Sequence, residues 1–144
     1  MDIAYPERPR LAVGGVVIKG DRVLLVCRGK PPGQGEWAIP GGSVELGESL
    51  KEAVEREIRE ETGVSVRAGE VCHVLEAVKR DDAERVRFHY VIIDLMAEHL
   101  SGDPVPDSDV TEAAWLGPDE LEGRPVNTST LALLRKLGFI SEGR

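Results

Sequence analysis

The segment Ser49–Val64, SLKEAVEREIREETGV, constrains the fold of this chain more than any other stretch. Ser49 is a suitable N-cap, and Glu52, three residues later, completes a capping box. Gly63 is a natural residue just past a helix C-terminus, where a left-handed backbone is favoured. The sequence therefore predicts a helix over Leu50–Thr62.

The acids of this helix are distributed in an unusual way. At about 100° per residue, three of them fall on the same side as the apolar stripe: Glu57, Glu60 and Glu61. The opposite side already forms a solvated face with two favourable i,i+4 pairs, Glu52–Arg56 and Glu55–Arg59. The three acids also lie in the C-terminal half, where the helix dipole disfavours negative charge by about 0.3–1 kcal/mol per group.

Two interpretations of these acids are open, a solvated face and a metal site. Carboxylates that converge near a core-facing surface require compensation. Arg56 can pair with Glu60 but cannot neutralise three acids. A hard divalent cation can, and carboxylate oxygens are the ligands that Mg²⁺ prefers. The helix geometry favours the metal site.

The remaining elements predict an α/β fold. Leu11–Gly20 and Arg22–Arg28 are rich in Val, Ile and Leu and form a hairpin across Gly20-Asp21. Further strand-like segments and a C-terminal amphipathic helix follow, at residues 66–79, 85–97, 110–116 and 128–139. Several strands and two helices of this kind predict a single layered domain over residues 1–144.

Composition excludes some partners. The net charge of −8 disfavours nucleic-acid binding through phosphate contacts. The sequence contains no apolar run long enough to cross a bilayer, so we expect no membrane partner. Cys27 and Cys72 lack metal-ligand spacing and are interpreted as reduced core residues of a cytoplasmic protein.

Gly42–Val64, GSVELGESLKEAVEREIREETGV, resembles the Nudix box. The box requires residues at fixed spacing, and this chain supplies all of them: Gly42, Glu48, Arg56, Glu57, Ile58, Glu60, Glu61, Gly63 and Val64. The preceding WAIPGG segment and the order of strands and helices are also similar to the family. The resemblance therefore extends over most of the chain.

This resemblance implies an α/β/α sandwich around a mixed β-sheet. It also implies hydrolysis of a nucleoside diphosphate linked to another moiety, with Mg²⁺ or Mn²⁺ as cofactor. The implied metal ligands are the carboxylates of Glu57, Glu60 and Glu61 and the backbone carbonyl of Gly41. Glu60 could instead act as a base. Arg56 is expected to orient a glutamate through a charge-assisted hydrogen bond, and Glu48 to brace the box.

The general base is less well specified, because in this family it lies either in the box or on a later loop. The later loop here, DPVPDSDVTE, offers Asp107, Asp109 and Glu112. We predict Glu112 as the base or extra ligand, since it lies where the loop becomes a strand. The alternative is that these acids only keep a surface loop soluble. The loop itself, Gly102–Asp109, is expected to be mobile and able to close over substrate.

Three further residues are assigned to substrate binding. Arg28 could meet a phosphate or be an ordinary surface arginine. Trp37 could stack on a ring of the substrate or fill the core. Gly42, which opens the box, is placed with them.

Substrate choice lies outside the box. The segment Ala77–Ala83 lacks the proline and the tyrosine that mark some ADP-ribose and diadenosine polyphosphate members. We expect an ADP-ribose-like small-molecule nucleotide first and nucleoside triphosphates second. A non-catalytic nucleotide sensor is a further alternative, and a homodimer is a possible assembly.

Overall fold

A computed structural model of the chain describes residues 4–141. This part forms seven strands and three helices. In chain order they are β1 (Arg10–Lys19), β2 (Arg22–Arg28), β3 (Trp37–Ala38), β4 (Gly41–Ser43), α1 (Leu50–Thr62), β5 (Ser65–Arg80), β6 (Val86–Ser101), β7 (Val110–Leu116), α2 (Pro118–Leu121) and α3 (Thr128–Lys136).

Strand β1 is the centre of a mixed sheet. It runs parallel to β6 along most of its length, and β5 pairs antiparallel with the far side of β6. On its other edge β1 pairs antiparallel with β4 near its start and with β2 near its end. Strands β3 and β7 then pair with β2. Both edges of β1 are thus hydrogen-bonded, which suits its run of buried residues.

Helices cover both faces of the sheet. On one face α1 buries Ala53, Val54 and Ile58 against β1, β5 and β6. Gly15 in β1 allows this close approach, since a Cβ atom there would lie 2.6 Å from Ile58 Cδ1. On the other face α2 and α3 bury three leucines in a second cluster, Leu121, Leu133 and Leu134. The predicted α/β/α sandwich around a mixed sheet is confirmed.

The predicted bounds and caps of α1 are confirmed. Ser49 Oγ accepts a hydrogen bond from Glu52 N at 3.1 Å, and Glu52 Oε1 accepts one from Ser49 N at 2.9 Å. Gly63 ends the helix with φ of 74°. The box helix therefore has fixed ends, which set the rotation of its acids around the helix axis.

The loop before β7 is attached to the end of α1. Asp107 N donates to Glu61 O at 3.0 Å, and Val105 N donates to Thr62 O at 2.9 Å. The carbonyls of a last helical turn have no partner inside the helix, and these two find theirs in the loop. The composition of Gly102–Asp109 predicts a mobile loop that can close over substrate. In the structure its backbone is hydrogen-bonded to α1, the helix that carries the acids.

Elsewhere the predicted elements agree with the structure to within a few residues. Lys19 pairs with Arg22 across the Gly20-Asp21 turn, and β7 has the predicted bounds. Helix α3 ends at Lys136, earlier than predicted, and Gly138 follows with φ of 77°. No helix within residues 4–141 is long and apolar enough to span a membrane.

Candidate active site

A cavity of about 280 Å³ lies where α1, β4, the loop after β2 and the start of β7 meet. Acidic and basic side chains both line it, together with Tyr90 and several small or neutral residues. The charged residues at this cavity include Glu57, Glu60, Glu61, Asp109, Arg10, Arg28, Lys30 and Arg56. A cavity with anionic and cationic walls is suited to an anionic ligand that arrives with cations.

Glu57 rests on the backbone of β4. A Cβ atom at Gly42 would lie 2.3 Å from Glu57 Oε2, so only glycine leaves space for the carboxylate. The side chain of Glu57 is mostly buried. Burial raises the pKa of this carboxyl above its ordinary value, although Arg56 opposes the shift.

Glu61 lies one turn further along α1 and contacts the neighbouring glycine. Gly41 N donates to Glu61 Oε1 at 3.0 Å. Glu61 is only 9% exposed, and burial raises the pKa of its carboxyl to about 8, with a further contribution from the charge of Glu57. A Cβ atom at Gly41 would lie 2.0 Å from Val13 O, so glycine is also required here. Gly42 therefore leaves room for the carboxylate of Glu57, and Gly41 binds the carboxylate of Glu61 through its backbone N–H.

Arg56 connects the acids to the loop that precedes the helix. Its Nε and Nη2 donate to the two carboxylate oxygens of Glu48 at 2.6 and 2.9 Å, and Nη2 also donates to Ser43 O at 3.0 Å. Its Nη1 donates to Glu57 Oε1 at 2.8 Å and to Glu60 Oε1 at 3.0 Å. The Arg56 hydrogen bonds lower the pKa of Glu48 to about 2. Arg56 thus binds Glu48 and Glu57 in addition to Glu60, the partner expected from the sequence.

The acids have the chemistry that a hard cation requires, but they are not fully converged. Among residues 4–141, no three His, Cys, Asp or Glu side chains lie close enough together to enclose a metal ion. Arg56 binds both Glu57 and Glu60, and the side chain of Glu60 is 51% exposed. Glu57 and Glu61 remain as neighbours on the buried side of the helix. Their oxygens, beside the backbone of Gly41, fit a divalent cation.

Comparison with known proteins identifies the family. A family model described as NUDIX domain matches residues 8–135. The chain belongs to the Nudix family. An ADP-ribose pyrophosphatase of Methanocaldococcus jannaschii is 36% identical over 107 residues, which cover 74% of this chain and 61% of that protein. The match therefore spans less than two thirds of that relative.

Two other Nudix proteins match over more of their own length. The nucleoside triphosphatase NudI of Escherichia coli is 31% identical over 136 residues, with 86% of this chain and 94% of that protein covered. The crystal structure of a MutT NUDIX hydrolase from Burkholderia pseudomallei superposes with a TM-score of 0.77 at 31% identity, covering 91% of this chain and 99% of that chain. These likenesses identify the chain as a Nudix hydrolase.

Arg28 lies at the same cavity as the acids of α1. Two residues not predicted to act there, Lys30 and Asp109, also line it. Arg28 Nε donates to Pro32 O at 2.7 Å, which shapes the loop after β2. Lys30 in the same loop pairs with Asp109, with 3.1 Å between Nζ and Oδ1. Asp109 is one of the three acids that the sequence places in the later loop. Its contact with Lys30, which joins two loops far apart in the sequence, distinguishes it from Asp107 and Glu112.

Glu112 is not brought into this cavity. It is exposed on β7 opposite Cys27, beyond an irregularity in the β2–β7 pairing, whereas the cavity wall ends at Val110. Trp37 also lies outside this cavity. It is 4% exposed within the core cluster of α3, with the Arg124 guanidinium over its ring, so the core interpretation applies.

A second cavity of about 380 Å³ adjoins the first, and Arg28, Gly41 and Tyr90 line both. Its walls are mainly apolar and come from β1, β5, β6 and the start of α3. Gly42 and the buried carboxylate of Asp94 also line it. The sequence signal for Asp94 is a single acid inside the apolar run VIIDLM.

Proposed function

We propose that this Nudix hydrolase is a metal-dependent pyrophosphohydrolase that cleaves a nucleoside diphosphate linked to another moiety, with an ADP-ribose-like substrate favoured. One observation carries the proposal. The carboxylates of Glu57 and Glu61 are seated on Gly42 and Gly41 and line a cavity with basic side chains.

The basic side chains account for substrate binding. Arg28 ends β2 and Lys30 lies on the loop that follows, where both can contact the anionic oxygens of a pyrophosphate. The acids of α1 would repel the same oxygens if no cation were present. A divalent cation, Mg²⁺ or Mn²⁺, supplies the charge neutralisation and the activation of water that hydrolysis requires. Glu57 and Glu61, with the carbonyl of Gly41, would hold it.

A carboxylate must also take a proton from the attacking water. Asp109 is the best placed for this role outside the box, because it lies at the cavity and pairs there with Lys30. Glu60 is the candidate within the box, since it reaches the cavity wall and is partly exposed. Glu112, the residue chosen from the sequence, would need to move to reach the same space.

Two nucleotide classes are supported by different relatives. The name of the M. jannaschii protein supports an ADP-ribose-like substrate, and the NudI relatives support nucleoside triphosphates as the second candidate. A non-catalytic sensor is disfavoured because every acid of the box is present. The interpretation of the cysteines as reduced supports a cytoplasmic location, and a homodimer can be tested by light scattering.

The decisive experiment is a panel of nucleotide derivatives incubated with Mg²⁺ or Mn²⁺, with products separated by chromatography. ADP-ribose should give AMP and ribose 5-phosphate, whereas a nucleoside triphosphate should give a monophosphate and pyrophosphate. Excess chelator should abolish both reactions. Hydrolysis at full rate in chelator, or no hydrolysis of any phosphoric anhydride, would refute the proposal.

A further inference from the structure

Asp94 is a buried carboxylate that the proposed chemistry does not use. It lies on β6 with 2% of its surface exposed, and its Oδ1 has no hydrogen-bond partner among the described residues. Buried charged groups are normally paired or hydrogen-bonded, because burial without a partner is costly. Burial raises the pKa of Asp94 to about 6, and no neighbouring cation contributes to that shift. An unpaired acceptor of this kind points to a ligand.

The surroundings of Asp94 form a site rather than a packing defect. Phe88, Tyr90, Ile92 and Asp94 alternate along β6 and line the second cavity. A Cβ atom at Gly14 would lie 2.5 Å from Asp94 Oδ1 and 2.7 Å from Ile39 Cδ1, so glycine at this position lets the carboxylate and Ile39 lie directly against the backbone of β1. The mainly apolar walls and the unpaired carboxylate oxygen suit a planar ring that carries an N–H group.

Asn127, another polar residue on this cavity, is already engaged. Asn127 Oδ1 accepts hydrogen bonds from Ser129 N at 3.0 Å and Thr130 N at 3.2 Å as the N-cap of α3. Its Nδ2 donates to Glu36 Oε1 at 3.1 Å. Asp94 therefore differs from Asn127, because its Oδ1 is buried and has no hydrogen-bond partner among the described residues.

The two cavities are continuous through Arg28, Gly41 and Tyr90. A nucleotide whose phosphates lie at Glu57 and Glu61 would extend its heterocycle past these residues. The ring would then reach the apolar walls and Asp94. This step rests on the proposed function, because it takes the ligand to be a nucleotide.

We propose that Asp94 determines base specificity by accepting a hydrogen bond from an exocyclic amino group, so that adenine, guanine or cytosine is preferred over a base without an amino group at that position. A carbonyl oxygen there would face the carboxylate oxygen and leave both unpaired. The loss of one hydrogen bond to a charged group typically weakens binding about tenfold to a hundredfold. The preference between matched bases should fall in that range.

Binding of nucleoside monophosphates, measured by NMR titration in the presence of Mg²⁺, tests this without turnover, because a monophosphate has no anhydride bond to cleave. The matched pairs are AMP with purine riboside monophosphate, GMP with inosine monophosphate, and CMP with uridine monophosphate. We expect at least one amino member to bind about tenfold more tightly than its partner. Equal affinities in every pair, or no binding at millimolar concentration, would overturn the proposal.

Variants of Asp94 assign the effect to the carboxylate. Asp94→Asn can accept or donate at the same place, so the ratio of affinities should fall below about threefold. Asp94→Ser removes the carboxylate with little change of space and should also lose the preference. Asp82→Asn, an exposed turn residue, removes one charge elsewhere and should keep it. An unchanged ratio in both Asp94 variants would overturn the assignment.

The two proposals fail separately. A base preference without hydrolysis of any anhydride would refute the pyrophosphohydrolase function and retain the site. Hydrolysis without a base preference would retain the function and refute the role of Asp94. Thermal unfolding of each variant verifies folding, and Asp94→Asn should unfold at the same or a higher temperature because it removes an unpaired buried charge.

Discussion

The carboxylate of Glu57 lies against the Cα atom of Gly42, where a Cβ atom would be 2.3 Å from Glu57 Oε2. Gly42→Ala should therefore displace Glu57 and lower kcat by about a hundredfold or more, because small displacements of catalytic groups have effects of that size. Steady-state kinetics at saturating Mg²⁺ measures this. Gly117→Ala has its nearest new contact at 3.6 Å and is a matched control that should retain activity. Normal kcat in Gly42→Ala would mean that Glu57 is not needed in this position.

Glu57→Gln and Glu61→Gln should each lower kcat by orders of magnitude while the fold survives. The substitution keeps the shape of the side chain and removes a charge that burial disfavours. The melting temperature of the metal-free protein should therefore stay level or rise. A large fall in the melting temperature of metal-free Glu61→Gln would indicate a structural role instead.

Cation binding should release protons from Glu61. Its pKa of about 8 means that the carboxyl is mostly protonated at pH 7 in the free protein, and a metal ligand must be ionised. Affinity for Mg²⁺ or Mn²⁺ should rise with pH up to about pH 8 and then level off. Calorimetry in buffers of different ionisation enthalpy should detect about one proton released per cation at pH 7. Proton release that is unchanged in Glu61→Gln would assign the effect to another group.

The stability of the metal-free protein should depend on pH through the same residue. The folded pKa of Glu61 lies above its ordinary value of 4.5, so the folded state binds the proton more tightly than the unfolded state. The stabilising contribution is fully present below pH 4.5 and is lost as the pH rises through about 8. Denaturant unfolding of the wild type and Glu61→Gln at several pH values measures the difference. A parallel pH dependence in the two proteins would contradict this assignment.

Asp109 and Glu112 can be distinguished by kinetics. Asp109 lies at the cavity with Lys30, whereas Glu112 is exposed outside it. Asp109→Asn should lower kcat by at least about a hundredfold, the usual effect of losing a general base, and Glu112→Gln should have much less effect. The reverse order would restore the assignment made from the sequence. Normal kcat in both variants would place the base at Glu60.

The local features of this site are predictable from sequence because their causes are local. The capping box and Gly63 fix the ends of α1, and the helical period then fixes the side on which Glu57 and Glu61 lie. The ambiguity of Trp37 also has a physical reason. A tryptophan in a short strand can fill a core or a ligand site, and only the position of α3 decides between them.

The features that the sequence did not reveal all depend on long-range pairing. Lys30 and Asp109 meet because β7 pairs with β2, and Asp94 reaches a cavity because β6 lies beside β1. The first pairing leaves no local signal at Lys30 or Asp109, and the lone acid in the run VIIDLM marks Asp94 without indicating the cavity that it lines. The position of Glu112 has the same origin, since the irregular pairing of β2 and β7 decides which acid lies at the cavity.

The hydrogen bonds from Asp107 N and Val105 N to the last carbonyls of α1 have a consequence for the dynamics of the site. A loop joined to a helix in this way exchanges its amide hydrogens when the helix end opens, and not before. The wall that carries Asp109 and the helix that carries Glu61 should therefore open as one cooperative unit. Movement of this loop away from the cavity would break the hydrogen bonds to the last turn of α1. It would also displace the buried carboxylate of Glu61 from Gly41.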